Sequence, residues 1–390
     1  MQYRKFGRLN WQVSALGFGA MRLPTVDGNR ASENILEDEA IAMIRHAIDQ
    51  GVNYIDTAWP YHNGKSEVVV GKALQDGYRQ KVKLATKSPI RFYEKAEDFE
   101  RFLNEQLERL QTEQIDFYLL HGLNKRSWEN VVLKYDLLAK AERAKKDGLI
   151  CHLGFSFHDD LETFKMIVDA SDLWEFCQIQ YNYMDIENQA GTAGLKYAAA
   201  KGLAVVIMEP LLGGRLVQPP QDIVDLFKEA APDRTPVDWA LQWLWNQPEV
   251  SVVLSGMSTM EQVQQNLLSA AKSGINSLNE QELEVVAEAR RRYLAKTLIP
   301  CTACAYCMPC PNKIDIPRNF KAFNEGFMYN DAKGASNTYR IFLTEETRAG
   351  SCLQCRICEE ACPQEIPISE WMPKVHGVLG EGKSYDNVNA

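Results

Sequence analysis

Eight of the ten cysteines in this 390-residue chain lie beyond residue 300, in two tight sets. Cys301, Cys304, Cys307 and Cys310 each have two residues between them, with Pro311 next. Cys352, Cys355 and Cys358 repeat that spacing, and Cys362 follows after three residues, with Pro363 next. Three cysteines spaced by two residues wrap one face of a 4Fe–4S cube, and a remote cysteine completes it. Zinc more often takes two separated Cys-x2-Cys pairs, so the third close cysteine favours iron–sulfur. Eight thiolates suffice for two 4Fe–4S clusters. A single cluster is the second reading, and a zinc or purely structural knot the third. Cys151 and Cys177 sit alone in apolar runs and read as core residues.

A second set is spread through the first part of the chain: Asp56, Tyr61, Lys87 and His121. A carboxylate, a phenol, an ammonium and an imidazole suit carbonyl reduction. Hydride addition builds negative charge on the carbonyl oxygen, and that charge needs a positioned proton donor. A free tyrosine, with a pKa of about 10, is a poor donor at neutral pH. The Lys87 ammonium would stabilise the phenolate and lower that value, and Asp56 would hold Lys87 charged and in place. His121 could orient the carbonyl oxygen or relay a proton. Each residue alone is more often structural, since a strand-end Asp and Lys can simply pair; the signal is the combination.

The elements that must position these groups follow from hydrophobic periodicity. Apolar runs at residues 14–21, 52–58, 82–87, 115–121, 150–157, 176–182, 203–210 and 250–257 have the length and composition of strands buried on both faces. Between them lie amphipathic stretches. Ala40, Met43, Ile44, Ala47 and Ile48 share one face of a helix over residues 39–50, as do Phe99, Phe102, Leu103, Leu107 and Leu110 over residues 97–110. Eight strand–helix units in this length predict an α/β fold, a (β/α)8 TIM barrel, with Asp56, Lys87 and His121 at the C-terminal ends of strands 2, 3 and 4. An open doubly wound sheet is the alternative, but no Gly-x-Gly-x-x-Gly follows a strand. Residues 3–13 read as a hairpin before the barrel. The long connection at 211–220 follows strand 7, where phosphate-binding loops often sit. Residues 280–296, with Arg290, Arg291 and Arg292, read as a solvated charged helix. Beyond the cysteine motifs' first set, helical stretches are expected over residues 317–328 and 336–347. The division is thus a barrel over 1–297, a small mainly helical ferredoxin-like iron–sulfur domain over 298–380, and a flexible tail over 381–390.

Composition narrows the function classes. A net charge of -9 argues against a nucleic-acid partner. The most apolar stretch, residues 203–208, is far below the ~18 residues of a membrane span, and the first ten residues lack an apolar secretion signal. Dense cysteine without a secretion signal reads as metal binding in a cytoplasmic protein.

The residues above resemble a known family. Tyr-Ile-Asp-Thr-Ala (54–58) with Tyr61, Ala-Thr-Lys (85–87) and Leu-Leu-His (119–121) are similar to the Asp, Tyr, Lys and His segments of the aldo-keto reductases. Gly-Phe-Ser (154–156), Gln-Ile-Gln-Tyr-Asn (178–182), Pro-Leu-Leu-Gly-Gly-Arg-Leu (210–216) and Ser-Gly-Met-Ser-Thr-Met-Glu-Gln-Val-Gln-Gln-Asn (255–266) resemble the family's cofactor segments, and the resemblance spans about residues 1–290. It implies NADP(H) or NAD(H) as cofactor, with Ser156 and Gln178 on the carboxamide. Leu212, Gly213 and Gly214 would meet the pyrophosphate, and Gly256, Ser258, Gln262 and Asn266 the adenosine end. The sequence departs from the pattern at Phe157, where an Asn is common, and at Met208, where a ring often stacks on the nicotinamide. Glu209 brings a carboxylate toward the phosphates, and Gln262 replaces an Arg that commonly grips the 2′-phosphate. The second cysteine motif matches the bacterial ferredoxin pattern in full, and the first is one residue short before Cys310. By analogy with two-cluster ferredoxins, Cys362 would join Cys301, Cys304 and Cys307, and Cys310 would join Cys352, Cys355 and Cys358.

The expectation is an oxidoreductase that reduces a small-molecule carbonyl with NAD(P)H and carries accessory clusters for electron transfer or structure. Two alternatives stay open: an iron–sulfur electron-transfer protein serving a redox protein partner, and a reductase fed by flavin or by the clusters in place of nicotinamide. Trp59, His62, Phe92 and His158 are further candidates for the substrate rim.

Overall fold

A computed structural model describes residues 1–29 and 32–388. The chain divides into two compact units, one of residues Met1–Gly213 and Val237–Leu283, the other of Gly214–Pro236 and Glu284–Ala390.

The first unit is a barrel. Strands β3 (Leu16–Gly19), β4 (Tyr54–Asp56), β5 (Lys83–Ser88), β6 (Ile115–Leu123), β7 (Ile150–Phe157), β8 (Trp174–Gln180), β9 (Ala204–Met208) and β10 (Val250–Gly256) close in sequence order, with β10 beside β3 and every pair parallel. Each lies within or across one of the expected apolar runs. Burial on both faces explains why the runs are apolar throughout instead of alternating. The helix Glu37–Asp49 buries Ala40, Met43, Ile44, Ala47 and Ile48, the face its spacing predicts. The helix Asp98–Leu110 buries Phe99, Phe102, Leu103 and Leu110. Each such Ile, Leu, Phe or Met contributes about 1.5–3 kcal/mol on full burial.

A hairpin of β1 (Tyr3–Lys5) and β2 (Gln12–Ser14) plugs the N-terminal end of the barrel. Phe6 is fully buried there, with ring centroids of Phe117 at 4.8 Å, Tyr54 at 5.9 Å and Phe176 at 5.9 Å. The turn needs Gly7: its φ is +53°, and a Cβ there would stand 2.3 Å from the Ala204 amide nitrogen. With the bottom filled by side chains, the opposite, C-terminal rim is left for chemistry.

The second unit is mainly helical. Helices Ile316–Met328, Ala332–Phe342 and Ile368–Leu379 pack Phe320, Phe323, Tyr339, Met372, Val375 and Leu379 into a small core, with six of the cysteines at its margin. The middle helix differs from the expected 336–347. It starts at Ala332 because Asp331 Oδ1 caps it, accepting from the Gly334 amide at 2.9 Å. It ends at Phe342, where Arg348 donates to the carbonyls of Leu343 (3.0 Å) and Arg340 (2.8 Å). Arg291 and Arg292 pair with Glu284 and Glu288 along their own helix, Glu280–Ala295. In the expected tail, Tyr385 donates to the Phe323 carbonyl at 2.8 Å, and residues 389 and 390 lie outside the described residues. Among the described residues no helix is long and apolar enough to cross a membrane.

Candidate active site and metal centre

The barrel brings Asp56, Tyr61, Lys87 and His121 together at the C-terminal rim. Asp56 is the last residue of β4, Lys87 is the fifth residue of β5, and His121 lies near the end of β6. Lys87 Nζ donates to Asp56 Oδ1 at 2.6 Å and to the Thr57 carbonyl at 2.7 Å, with both side chains almost fully buried. The same ammonium stands 4.8 Å from the Tyr61 ring centroid, and the Tyr61 ring meets His121 edge-on at 6.0 Å. Tyr61 and His121 keep partial exposure. The turn that carries Tyr61 into the helix Lys65–Ala73 is strained: His62 and Asn63 both have φ of +52°, and Gly64 follows at +87°. The register of β6 against β7 shifts between Leu120 and Leu123, the bulge in which His121 sits.

The charges interlock. Burial works against the Lys87 ammonium, but Asp56 and Tyr61 outweigh it and raise Lys87 above the ordinary lysine value. Burial raises Asp56, and Lys87 pulls it back only in part; its Oδ2 is buried without a hydrogen-bond partner among the described residues. Tyr61 corrects the expectation of a lowered phenol. Burial raises it, Lys87 opposes that rise, and the charges of Asp56 and Glu209 add to it, so Tyr61 ends above the ordinary tyrosine value. Burial and the neighbouring positive charge of Lys87 hold His121 well below the ordinary histidine value, as a neutral ring.

A buried network behind these groups is absent from the sequence reading. Glu67 is fully buried and accepts from Thr86 Oγ1 at 2.6 Å and Gln106 Nε2 at 2.7 Å. Gln106 Nε2 also lies 3.1 Å from the Lys87 carbonyl, and Arg109 reaches Glu67 at 3.5 Å. Three elements, the helix after Tyr61, the strand of Lys87 and the helix Asp98–Leu110, are thereby locked in one arrangement. The available signal was Glu67 inside the apolar run Ser66 to Gly71.

The cofactor candidates separate into three groups. Ser156 and Gln178 are register partners on β7 and β8, both buried. Ser156 Oγ accepts from the Gly122 amide at 2.7 Å. Gln178 Nε2 lies 3.5 Å from Met208 Sδ, while its Oε1 is buried without a partner among the described residues. That orphaned acceptor fits an amide donor such as a carboxamide NH2. Leu212 and Gly213 follow β9 with φ of +49° and +69°; Gly214 begins the second unit. Gly256 ends β10. Ser258 donates its amide to Gln262 Oε1 (2.8 Å), and Asn266 Nδ2 donates to Ser255 Oγ (2.9 Å). The rim candidates divide: His62 is buried between Ser32 and Leu23, Trp59 Nε1 donates to Glu105 at 3.2 Å, and Phe92 and His158 are exposed.

The cysteine sets line two hollows in the second unit. One, of about 320 Å³, is walled by Cys301, Cys304, Cys307 and Cys362 with Phe320 and Ile366. The other, of about 300 Å³, is walled by Cys310, Cys352, Cys355 and Cys358 with Ile314 and Met372. All ten cysteines are free thiols. Among the described residues no three His, Cys, Asp or Glu donors close around a single ion, whereas a multi-iron cube is held by sulfurs spaced around a hollow. One helix, Ile316–Met328, clamps both cysteine-bearing segments with buried asparagines. Asn324 exchanges two hydrogen bonds with Ile299 (2.9 and 2.8 Å), just before Cys301. Asn319 accepts from Ala349 (2.7 Å) and donates to Thr347 (2.8 Å), just before Cys352. Of the two lone cysteines, Cys177 is fully buried in the barrel core and Cys151 is partly buried on β7.

Comparison with known proteins agrees with this geometry. The Aldo/keto reductase family model matches residues 15–288, and the 4Fe-4S dicluster domain model matches residues 300–366. Similar curated proteins include the uncharacterized oxidoreductase YqkF of Bacillus subtilis, 26% identical over 73% of this chain and 95% of its own length. L-galactose dehydrogenase of Arabidopsis thaliana is 29% identical over 71% of this chain and 90% of its own. Among solved structures, the holo form of aldo-keto reductase AKR11C1 from Bacillus halodurans covers 74% of this chain and 96% of its own. It is 27% identical, with a TM-score of 0.60.

Proposed function

This chain belongs to the aldo/keto reductase family, and from that premise we propose that it reduces a small-molecule carbonyl with NADPH or NADH, Tyr61 being the proton donor. The observation that carries the reading is Lys87 Nζ, bonded to Asp56 Oδ1 at 2.6 Å and set 4.8 Å from the ring of Tyr61, which in turn faces His121. Bound nicotinamide would supply the hydride that adds to the carbonyl carbon. Tyr61 supplies the proton to the oxygen, so hydride and proton together convert carbonyl to alcohol. Its raised value means that it carries this proton at neutral pH, and the Lys87 ammonium lowers the cost of the phenolate left behind. Asp56 holds that ammonium in place. His121, neutral, offers one ring N–H to the same oxygen. Gln178 Oε1 and Ser156 would hold the carboxamide, Leu212 and Gly213 the pyrophosphate, and Gly256, Ser258, Gln262 and Asn266 the adenosine end.

In this reading residues 1–297 are the reductase part and residues 298–380 hold two 4Fe–4S clusters, one in each cysteine-lined hollow, in a cytoplasmic enzyme. The four-and-four division of the cysteines supports two cubes with crossed fourth ligands. A second reading, a barrel fed by flavin or by the clusters, has its own support: Gln178 Nε2 is engaged by Met208, and Glu209 adds negative charge near Tyr61.

Anaerobic, cluster-replete protein titrated with NADPH and then NADH tests the choice. Nucleotide fluorescence reports binding and visible absorbance reports the clusters. Saturable binding, with carbonyl turnover lost in Tyr61→Phe, is the expected result. Binding of neither nucleotide, or unchanged turnover in Tyr61→Phe, would overturn the proposal.

A further inference from the structure

The two cysteine segments repeat one another. Cys-Pro-Asn-Lys-Ile-Asp-Ile (310–316) and Cys-Pro-Gln-Glu-Ile-Pro-Ile (362–368) end the two sets on the same frame. The backbone repeats as well. Ala303 and Ala305 have φ of +56° and +61°, and their counterparts Gln354 and Arg356 have +52° and +63°. Lys313 and Glu365 match in the same way, at +63° and +52°. Ile316 and Ile368 are buried and wall both hollows, so one apolar partition separates the two. Clusters held there would share one ligand arrangement and differ in the side chains around it.

Those side chains are unequal. Where the Cys301 hollow has Ala305, Pro317 and Phe320, the Cys352 hollow has Arg356, Ser369 and Met372. The backbone amides of Ala303 and Gln354 serve Cys301 and Cys352 alike. The side-chain amides do not. Asn312 Nδ2 donates to Cys355 Sγ at 3.9 Å, whereas its counterpart Gln364 makes no such bond to a cysteine among the described residues. Charge divides in the same direction: Lys313 stands three residues after Cys310, and Glu365 three residues after Cys362. Glu359 adds negative charge beside Cys352 and Cys358. It is held on the Ser369 amide at 2.7 Å and faces the positive charge of Arg356, so these two offset one another.

We infer that the two clusters are unequal electron acceptors, Asn312 making the one in the Cys352 hollow the seat on which a single electron comes to rest. The inference rests on the two-cluster reading above. Reduction adds one negative charge to a cube and its thiolates. Hydrogen bonds to the sulfurs and polar surroundings favour that reduced form, and an apolar wall disfavours it. An electron on the cluster of the Cys301 hollow therefore passes to that of the Cys352 hollow. The first is oxidised by one electron and the second reduced by one, with no proton moved and no bond broken. The electron enters from a one-electron donor outside the chain. Two equal clusters would share it, whereas unequal ones give the domain a direction, from the side of Cys304 to the side of Cys355, both exposed.

The test is an anaerobic potentiometric titration of the full, cluster-replete chain with dithionite, followed by electron paramagnetic resonance. Iron and acid-labile sulfide are counted in every sample. Wild type is expected to show two one-electron steps at different potentials. Asn312→Leu should lower only the more positive step, by about 3- to 10-fold in the ratio of reduced to oxidised form, the tenfold limit being about 59 mV. Asn312→Asp, which keeps the size and replaces the donor by a charge, should lower it further, and it carries the test if the leucine variant loses iron. Gln364→Leu should leave that step in place. Cys362→Ser, which removes the cluster of the Cys301 hollow, should keep the more positive step. A single potential for both clusters in wild type overturns the inference. So does an Asn312 variant that moves the other step or neither, or a Cys362→Ser protein left with the more negative step. Wild type with the iron of one cluster only would sink the two-cluster reading first, an outcome that the iron count tells apart.

Discussion

Replacing Asp56 with Asn removes the partner of an ammonium that is 1% exposed, and the structure sets the size of the consequence. Removing one member of a buried ion pair typically costs about 3–5 kcal/mol, because the survivor stays charged without compensation. Lys87 has one escape, to fold as the neutral amine. Giving up its proton at pH 7 from an ordinary value of about 10.4 costs about 4.6 kcal/mol, which caps the penalty. In a domain of this size class each kcal/mol moves the melting temperature by about 2–4 °C, so the barrel transition of Asp56→Asn should fall by roughly 6–18 °C. The pH dependence sharpens the test. In the wild type Lys87 is raised above its unfolded value, so its contribution is fully present below about 10.4 and is lost only as pH rises through the folded value. Between pH 7 and 9 Lys87 therefore adds no slope in the wild type. Once rising pH makes the neutral amine the cheaper folded form of Asp56→Asn, it binds fewer protons than the unfolded chain, so stability rises with pH and the gap then closes by about 1.4 kcal/mol per pH unit. The double variant Asp56→Asn/Lys87→Met leaves no buried charge and should melt above Asp56→Asn. Near-UV circular dichroism melts at pH 7, 8 and 9 measure all three effects. A single variant that melts like wild type, a gap that ignores pH, or a double variant no better than the single would refute the reasoning.

Cys362→Ser should remove the cluster of the Cys301 hollow and Cys310→Ser that of the Cys352 hollow. Each would leave about half the iron and acid-labile sulfide. Cys362→Ser abolishing the same electron paramagnetic resonance signal as Cys358→Ser would disprove the crossed ligation. Gly7→Ala places a Cβ 2.3 Å from the Ala204 amide nitrogen at a φ of +53°; backbone strain and overpacking should together cost about 2–5 kcal/mol, read as a lower barrel melting temperature, and an unchanged melt would mean that the hairpin does not approach so closely. Glu67 is raised by burial, which the donors Thr86, Gln106 and Arg109 offset only in part. Wild-type stability should therefore fall as pH climbs from the ordinary carboxylate range through the folded value. Glu67→Gln should flatten that limb, and an identical limb in the variant would count against this placement of Glu67.

Most of the barrel was legible because strands buried on both faces must be short and apolar, and helices such as Glu37–Asp49 must show one apolar stripe. The tetrad was legible because strand order alone carries Asp56, Lys87 and His121 to one rim. The cysteine sets were legible from spacing. Periodicity is blind to buried polar clamps: Glu67 lies among valines, and Asn319 and Asn324 lie on the inward face of their helix, where a pattern of apolar residues registers them only as gaps. The start of the helix Ala332–Phe342 was missed because Gly334 in its first turn reads as a breaker, while the Asp331 cap bonds its amide.

The direction of the Tyr61 shift was missed for a different reason. Residue types name the charges around the phenol, but their sum depends on depth. Lys87 alone would lower Tyr61; the same burial that brings Lys87 close also removes the water that would stabilise a phenolate, and that loss is the larger effect. In the proposed reaction burial would keep the proton on Tyr61 until a bound carbonyl gathers negative charge, and Lys87, itself fixed by Asp56, would then act on the anion left behind. Arg22 is 191 positions in sequence from Gly213 and 234 from Gly256, and only the closure of β10 against β3 makes it their neighbour. A site built from parallel strands collects its charges from the ends of many strands. Its polarity is therefore a property of barrel closure, which the order of residues predicts only after the strands have been paired.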